Sequence, residues 1–487
     1  MTAQATRPFP SLPTAIHKIH IIGICGTAMG SLAAMLVERG FEVRGSDAMA
    51  YPPMSDWLEA RGIAIMMGYA ESNLDWNPDL VVVGNVSKPS YADAVATRER
   101  NIPYLSLPEA LRHFIFADKR PLVLTGTHGK TTTTSMLAWI LSSAGRDPGF
   151  MVGGITGNFN SNYRLSESDL FVIEGDEYDT AYFDKVPKFW HYAPFRATIN
   201  NIEFDHADIY PDIASIEFVF RRFAELLPAE GTLWVNGDDA RALEVSARTP
   251  ATRRTFGLGA DNDFRAINLG YTKTTAFAEF VLDGRSLGVF EVPGVGEFNV
   301  RNMLGAAALA LDEGVDADTI RQALLGFRHT KKRQELIAEV NGVSVYDDFA
   351  HHPTAVRETL AALRVRHPNQ RIWAIFEAKS NTSRRRVFQD AYPLAFSQAD
   401  HVILSRPWRQ DEDLPLEARL DIEELADSIR ALGAPTELIP EVDNIVHSVV
   451  ARARPGDVIV GLSGSAFGGL HGKIVAALEK LTQPETT

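Results

Sequence analysis

Residues 122–133 constrain the fold of this chain more than any other stretch. An apolar run of strand type leads into a turn bounded by Gly126 and Gly129, and Lys130 and Thr131 open the amphipathic segment that follows. Backbone N–H groups in such a turn and at the start of the next helix point toward an anion. Strand, glycine turn, Lys-Thr and helix in this order therefore predict a phosphate-binding loop.

Two details of this loop bear on its use. Lys130 is placed to reach the β- and γ-phosphates of a nucleotide, and the Thr131 hydroxyl is placed to bind Mg²⁺. The usual Walker A loop has a glycine at the position that Leu124 occupies here, so this loop is a shorter variant. The competing interpretation is a glycine turn that only joins a strand to a helix.

Length and charge exclude several classes of protein. A chain of 487 residues is too long for one hydrophobic core, and about three domains are expected. No run of eighteen or more apolar residues occurs, so we expect no membrane span. The formal net charge of −14 disfavours sequence-independent binding to nucleic acid, whose phosphates would be repelled.

The expected compartment is the cytoplasm. The polar N-terminus lacks the apolar core of a signal peptide. Cys25 is the single cysteine, which excludes an intrachain disulfide and fits a reducing environment. We interpret Cys25 as a small buried side chain rather than a reactive group.

Strands alternate with helices along the whole chain, and this alternation predicts doubly wound parallel sheets. The expected architecture is three α/β units in series, at residues 1–117, 118–328 and 329–487. Residues 264–292 are expected to form short hairpin strands. The other predicted buried strands are residues 18–23, 41–47, 80–85, 122–125, 170–174, 197–200, 231–236, 343–347, 371–376, 401–404 and 457–462, with helices near 29–39 and 298–313.

The first turn of the chain is a second candidate for binding a diphosphate. Gly23 and Gly26 bound a turn before a helix N-terminus, although their spacing is not that of the dinucleotide-binding fingerprint. Asp47 follows about twenty residues later, at the end of the next strand, where it is suited to ribose hydroxyls. A nucleotide-linked ligand fits better than a redox cofactor. A glycine turn that serves packing alone is the alternative.

Two acidic clusters in the second unit are candidate metal sites. Residues 174–179 carry four carboxylates directly after an apolar strand, and hard divalent cations prefer oxygen ligands. Residues 200–208 combine carboxylates with His206, and imidazole and carboxylate together can complete a metal site. The alternatives are a solvated acidic turn and a hydrogen-bonded structural histidine.

The third unit begins with further charged candidates. Residues 346–353 place Asp and His side chains at a strand end, where they could face a nucleotide or a reacting amine. Arg333, just upstream, is suited to spreading charge on a phosphoryl group in transfer. A hydrogen-bonded turn before Pro353 and a solvated basic linker are the alternatives.

Five motifs occur together: G-T-H-G-K-T, E-G-D-E-Y-D, N-N-I-E-F-D-H-A-D, N-V-R-N and D-D-F-A-H-H-P. In order and approximate spacing they resemble the Mur ligase family, the ATP-dependent amino-acid and peptide ligases of bacterial cell-wall synthesis. The resemblance covers nearly the whole chain. It implies an N-terminal Rossmann-like domain that binds a UDP-sugar, a central P-loop ATPase domain and a C-terminal Rossmann-like domain that binds the incoming amine or peptide.

Within that family, the chain resembles members that act in peptidoglycan recycling. They join the carboxylate of UDP-N-acetylmuramate to the amine of the murein tripeptide L-alanyl-γ-D-glutamyl-meso-diaminopimelate through an acyl phosphate. The sister reaction with L-alanine is the alternative, and a non-catalytic nucleotide sensor is a second one. The residues that carry the closer likeness are 23–27, 51–55, 84–85, 157–159, Tyr178 and 380–382.

The resemblance implies ATP and Mg²⁺ or Mn²⁺ as cofactors and assigns roles to residues of this chain. The implied catalytic residues are Lys130, Asn158, Glu174, His206, Arg333, Asp348 and His351. The implied ATP-binding residues are Gly126, Thr127, His128, Gly129, Lys130, Thr131, Thr132, Asn302, Arg333 and Asp348. The implied UDP-sugar-binding residues are Gly23, Cys25, Gly26, Thr27, Ser46, Asp47 and Asn85. Peptide binding is assigned to Lys379, Ser380, Asn381 and Thr382, and metal binding to Thr131, Glu174 and His206.

The chain departs from the family pattern at three places. Phe298 stands where family members often have histidine, and Lys379 stands where the peptide-recycling members usually have arginine. Lysine keeps the charge but loses the bidentate geometry of a guanidinium. No lysine occurs between Lys188 and Lys273, the region in which several relatives use a carbamylated lysine to hold a second Mg²⁺. Oligomeric state and tolerance for peptide length are left open.

Overall fold

The computed structural model describes residues 7–50, 54–407 and 414–481. Residues 51–53, which belong to the 51–55 segment of the family likeness, lie outside this description. The chain forms two compact units: residues 1–202, 213–265 and 304–323 make up the first, and residues 203–212, 266–303 and 324–487 make up the second. The predicted division into three domains stays a prediction.

The first unit begins with a parallel five-stranded sheet in the order β3-β2-β1-β4-β5. Strand β1 continues into a tight turn and helix α1, so the carboxyl ends of β1 and β2 lie side by side. The strands are β1 Lys18–Ile22, β2 Glu42–Asp47, β3 Ala64–Met67, β4 Leu80–Val83 and β5 Tyr104–Ser106; the helices are α1 Thr27–Glu38, α2 Met54–Glu59, α3 Ala92–Glu99 and α4 Leu107–Phe114.

A second sheet of the first unit carries the predicted phosphate loop. Its strands lie in the order β14-β13-β12-β6-β9-β7-β8, and β6 has β12 and β9 as parallel neighbours. The strands are β6 Arg120–Thr125, β7 Gly149–Met151, β8 Tyr163–Arg164, β9 Leu170–Glu174, β12 Arg196–Ile199, β13 Thr232–Asn236 and β14 Thr252–Gly257, with the separate hairpin β10 Asp179–Ala181 and β11 Asp184–Pro187. The helices are α5 Lys130–Ser143, α6 Ile213–Glu225 and α7 Ala240–Val245.

The second unit contains the predicted hairpin strands and a six-stranded sheet in the order β18-β19-β23-β20-β21-β22. Within that sheet only β18 runs antiparallel to its neighbour. The strands are β15 Phe264–Tyr271, β16 Thr275–Leu282, β17 Arg285–Pro293, β18 Glu335–Val340, β19 Val343–Asp348, β20 Ile372–Phe376, β21 His401–Leu404, β22 Thr436–Leu438 and β23 Val458–Leu462. Helices α8 Glu297–Asp312 and α9 Ala317–Leu325 follow the hairpin in sequence, and their residues 304–323 belong to the first unit. The helices that lie wholly in the second unit are α10 Pro353–Arg366, α11 Tyr392–Ala395, α12 Ile422–Ala431, α13 Val442–Arg452 and α14 Leu470–Lys480.

The surroundings of strand β20 explain why residues 372–376 are apolar at every position. Ile372, Ala374 and Phe376 belong to a core cluster that includes residues of α10, α11 and α12. Trp373 and Ile375 belong to another cluster, with residues of α13 and α14. Because side chains alternate between the faces of a sheet, a strand covered on both faces is apolar at every position.

The predicted α/β class is therefore confirmed, and each predicted strand is present within two residues of its expected ends. The helix expected from residue 29 begins earlier, at Thr27, because its first turn already follows the glycine turn. Among the described helices, none combines the length and the apolar character that crossing a bilayer requires.

Candidate active site

The phosphate loop has the backbone geometry that its glycines allow. Gly126 and Gly129 have φ of +133° and +81°, and Gly129 lies at the N-cap of α5. A Cβ at Gly126 would lie 3.0 Å from both the Cβ of Asn200 and the backbone nitrogen of Asn201. Glycine is required at residue 126 because a side chain there would have neither a relaxed backbone nor space.

Asn201 holds the loop from the adjoining strand end, and it is absent from the predicted site residues. Its Oδ1 accepts from His128 N at 2.7 Å, and its Nδ2 donates to His128 O at 3.1 Å. The backbone oxygen of Asn201 also accepts from Thr127 N at 3.0 Å. The signal in the sequence was its place just after β12, since the carboxyl ends of neighbouring parallel strands meet at one edge of a sheet.

Lys130 lies across the loop in a mostly buried position. Its Nζ donates to the backbone oxygens of Gly126 and Thr127 at 2.7 and 3.1 Å, and to Glu177 Oε1 at 3.0 Å. Burial opposes the charge of Lys130, but Glu177, Asp176 and Glu174 outweigh burial and hold the pKa of Lys130 above its usual value. The lysine is therefore a cation held at the site where the loop predicts a phosphate.

Thr131 and Glu174 lie together beside the loop. The Thr131 hydroxyl is 3.0 and 3.1 Å from the two carboxylate oxygens of Glu174, and Gly153 N donates to Glu174 Oε2 at 2.7 Å. Burial raises the pKa of Glu174, while the nearby Lys130 opposes that rise. The donors are oxygens, and a divalent cation would offset the negative charge, so these residues fit Mg²⁺ or Mn²⁺.

Three other residues predicted for ATP binding or catalysis differ in their burial and in the unit to which they belong. Thr132 is buried in the first turn of α5, and Asn158 is half-buried in the turn that follows β7. Asn302 is buried in α8 and belongs to the second unit. Their predicted roles stay predictions.

Hydrogen bonds join the first turn, after β1, to the end of β2. Gly23 has φ of +80°, and its N–H donates to Ser46 O at 2.8 Å. Cys25 N donates to Asp47 Oδ2 at 2.9 Å. Gly26 and Thr27 are exposed at the start of α1, and Gly26 N donates to Gly23 O at 3.2 Å. Asp47 thus fixes the turn through one carboxylate oxygen.

Two residues of the predicted UDP-sugar set differ from expectation in their surroundings. Ser46 is fully buried, and its hydroxyl donates to Asp93 Oδ2 at 2.6 Å while His20 Nε2 lies 3.2 Å away. The Ser46 side chain therefore faces the core. Cys25 is half-buried rather than buried, and burial together with Asp47 raises its thiol pKa to about 11. Asn85 is half-buried in the turn after β4.

In the second unit, residues 203–208 form a compact acidic and imidazole segment. His206 has φ of +55°, and its N–H donates to Asp205 Oδ1 at 2.7 Å. Burial disfavours the charge of Asp205, but the neighbouring imidazole of His206 and that of His351 outweigh it and hold the pKa of Asp205 well below its usual range. His352 Nε2 lies 3.1 Å from Phe204 O, which ties this segment to the start of α10.

Asp348 and Arg333 lie in the same part of the second unit. Asp348 ends β19, and its oxygens accept from Gln334 N at 2.7 Å and Ala350 N at 2.8 Å. Burial raises the pKa of Asp348, and the charge of Arg333 opposes that shift. His351 Nδ1 lies 2.9 Å from Phe349 O. The structure therefore brings the charge of Arg333 close to Asp348, and His351 lies three residues after the end of β19.

The predicted peptide-binding residues occupy the loop after β20. Lys379 Nζ is 3.7 Å from Glu377 Oε1, and Ser380 N donates to Ser383 Oγ at 2.9 Å. Asn381 Nδ2 donates to Asp208 Oδ2 at 2.8 Å, and Thr382 Oγ1 accepts from Ala207 N at 3.1 Å. These contacts were not predicted, since residues 207 and 382 are far apart in sequence.

Comparison with known proteins places these features in one family. Three family models match: the Mur ligase family catalytic domain over residues 18–118, the Mur ligase middle domain over 124–310 and the Mur ligase glutamate ligase domain over 332–465. The UDP-N-acetylmuramate–L-alanyl-γ-D-glutamyl-meso-2,6-diaminoheptandioate ligase of Escherichia coli K12 is 41% identical over 464 residues, which cover 95% of this chain and 98% of that protein.

Two further similar proteins were found, one by structure and one by sequence. A crystal structure of a murein peptide ligase from Psychrobacter arcticus superposes with a TM-score of 0.71 at 33% identity, covering 96% of this chain and 100% of that one. The UDP-N-acetylmuramate–L-alanine ligase of Clostridium acetobutylicum is 33% identical over 455 residues, 92% of this chain and 96% of that protein. With three domain models matched in order and 41% identity over nearly its full length, this chain belongs to the Mur ligase family.

Proposed function

We propose that this protein is an ATP-dependent ligase that joins the carboxylate of UDP-N-acetylmuramate to the L-alanyl amine of L-alanyl-γ-D-glutamyl-meso-diaminopimelate. The observation that carries the proposal is the charged Lys130 held across a glycine loop beside Thr131 and Glu174. Identity of 41% to a ligase named for this reaction supports the choice of substrates.

The chemistry needs an activated acid, because a carboxylate and an amine do not condense in water. In the proposed first step, a carboxylate oxygen of the muramic acid attacks the γ-phosphorus of ATP in line. The bond from that phosphorus to the β,γ-bridging oxygen breaks, and ADP leaves. In the second step the neutral amine attacks the acyl carbon of the acyl phosphate, inorganic phosphate leaves, and the nitrogen loses a proton to form the amide.

The residues of the loop contribute position and charge to the first step. The N–H groups of 126–132 would hold the phosphates, and Lys130 would offset charge on the β- and γ-phosphates. Thr131 and Glu174 would hold the divalent cation, Mg²⁺ or Mn²⁺, which supplies further charge compensation at the phosphates. Asn158 is proposed to orient the phosphoryl group.

Further roles are proposed for the remaining predicted residues. His206 is proposed as a ligand of a second cation or as a contact to the acyl phosphate. Arg333, Asp348 and His351 are proposed to contact ATP. Asn302 is proposed to contact the adenine side of ATP. The turn at Gly23, with Asp47, is proposed to hold the UDP end. The loop at Lys379 is proposed to bind the peptide.

The experiment is a mass-spectrometric assay of UDP-N-acetylmuramate with ATP and Mg²⁺, offered the tripeptide or free L-alanine in parallel. The expected result is a UDP-muramyl-tripeptide with release of ADP and phosphate, and little product from L-alanine. Product from L-alanine alone would favour the sister reaction. With oxygen-18 in the substrate carboxylate, label must appear in the released phosphate, and its absence would refute the acyl phosphate.

A further inference from the structure

A buried carboxylate with no assigned role faces the lysine of the phosphate loop. Glu177 lies between β9 and β10, and only 2% of its side chain is exposed. Its two oxygens are 3.0 and 2.9 Å from Lys130 Nζ. We propose that Glu177 is a positioning residue that holds Lys130 across the loop, where a nucleotide phosphate would bind. This inference rests on the proposed function, because it assigns Lys130 to phosphate.

The geometry gives Lys130 one acceptor for each of its protons. An ammonium group has three N–H donors. Two of the acceptors are the backbone oxygens of Gly126 and Thr127, and Glu177 supplies the third. The two backbone oxygens belong to the loop itself, whereas Glu177 lies outside it. Glu177 is therefore the acceptor from outside the loop that fixes the position of the Lys130 ammonium group.

The buried position of the Lys130 charge explains why it needs a carboxylate partner. The Lys130 side chain is 13% exposed, and an unpaired buried cation is costly. Without the Glu177 carboxylate, we expect Lys130 Nζ to lose this contact at 2.9 to 3.0 Å and to bind phosphate less well.

Asp176 provides a matched control one residue away. Its Oδ2 is 2.5 Å from Lys188 Nζ, and its Oδ1 accepts from Tyr178 N at 3.0 Å. Asp176→Asn therefore removes one negative charge from the same segment while leaving the contact between Glu177 and Lys130 in place. A comparison of Asp176→Asn with Glu177→Gln separates a general charge effect from the specific pair.

The test is calorimetric titration of the full chain with MgADP at about pH 7.5, above the titration of the nucleotide phosphate. Glu177→Gln is expected to weaken binding by roughly tenfold, since a buried charge has lost its partner. Glu177→Asp should restore part of the affinity, and Asp176→Asn should bind nearly as tightly as the unaltered protein.

The outcomes separate this inference from the function on which it rests. If the unaltered protein bound no MgADP, the proposed function would fail. If it bound normally and Glu177→Gln bound equally or more tightly, Glu177 would only compete with phosphate, and the inference would be wrong. The inference would also be wrong if Asp176→Asn weakened binding as much as Glu177→Gln. Circular dichroism checks that each variant is folded, and a Glu177→Gln variant that did not fold would leave Glu177→Asp to decide by the same titration.

Discussion

The hydroxyl of Thr131, in the first turn of α5, donates to both carboxylate oxygens of Glu174 at the end of β9, at 3.0 and 3.1 Å. These residues come from different elements that meet because β9 is the parallel neighbour of β6. The pair places a neutral oxygen and a half-buried carboxylate beside the phosphate loop, which is the donor set a hard divalent cation prefers.

Replacing Thr131 with valine should raise the concentration of Mg²⁺ needed for half-maximal ligase activity. The expected rise is roughly tenfold to a hundredfold, as for other residues that support a metal site. Thr134→Val is the matched control, because the Thr134 hydroxyl donates to Lys130 O within the same helix. Activity titrated with Mg²⁺ measures the effect, and an equal shift in the two variants would contradict the metal assignment.

Replacing Lys130 with methionine should remove the positive charge that offsets the charge of the nucleotide phosphates. The expected result is a fall in kcat for ADP release by about a hundredfold or more. Lys185→Met is the control, because Lys185 is half-exposed and pairs with Asp179 in the β10–β11 hairpin. A coupled assay of ADP release gives both rates. Turnover by Lys130→Met close to that of the control would contradict the role of this loop in catalysis.

Cys25 should react slowly with alkylating reagents. Burial, with Asp47 nearby, raises its pKa from 9.0 to about 11, so near neutral pH its thiolate fraction falls about a hundredfold. Labelling by iodoacetamide at about pH 8, followed by mass spectrometry, measures the rate. The same residue in the denatured chain is the internal control, and equal rates in the two states would contradict this prediction.

Acid should destabilise the first unit in part through His20. Burial lowers the pKa of His20 from 6.5 to about 4, so the unfolded chain binds a proton that the folded chain does not over that range. The stability from neutral His20 is complete above about pH 6.5 and is lost as the pH falls toward 4, by roughly 3 kcal/mol at most.

With His20→Gln, the melting temperature should therefore fall less steeply between about pH 6.5 and pH 4.5. The glutamine amide keeps a hydrogen-bond donor for Ser46. The exposed His447→Gln is the control. Thermal unfolding followed by circular dichroism across this range measures the slopes. Identical slopes for His20→Gln and the unaltered protein would show that His20 does not contribute.

The hydrogen bond from Asn381 to Asp208 should couple the loop after β20 to the segment that holds His206. In a double-mutant cycle, Asn381→Ala and Asp208→Ala should show a coupling of about 0.5–3 kcal/mol in kcat/KM for the tripeptide. Ser380→Ala with Asp208→Ala is the control pair, since the Ser380 hydroxyl accepts from Ser383 N. Additive effects of the first pair would refute the coupling.

Local features of the sequence were enough to predict much of this protein. The strand before Gly126 and the Lys-Thr pair after Gly129 predicted the phosphate loop, because these residue types have few other uses in that order. Apolar runs such as residues 401–404 predicted buried strands at the observed positions. The backbone conformation of a turn and the burial of a strand depend mainly on residues close in the chain.

The roles of single side chains were harder to predict from sequence. Ser46 was expected at the sugar nucleotide, but its hydroxyl is buried against Asp93. Glu177 was visible only as one acid in a cluster of four, and its contact with Lys130 depends on how the chain continues after β9. In an acidic run, composition alone does not distinguish a solvated carboxylate from a buried one.

The sequence by itself thus determined the α/β class, the phosphate loop and the family, because each depends on short motifs or on their order along the chain. Only the tertiary structure decided that Asn201 holds the loop, that Glu177 pairs with Lys130 and that Asn381 contacts Asp208. Each of these contacts joins residues from separate segments of the chain, and their distance is fixed by strand order and packing rather than by local conformational preference.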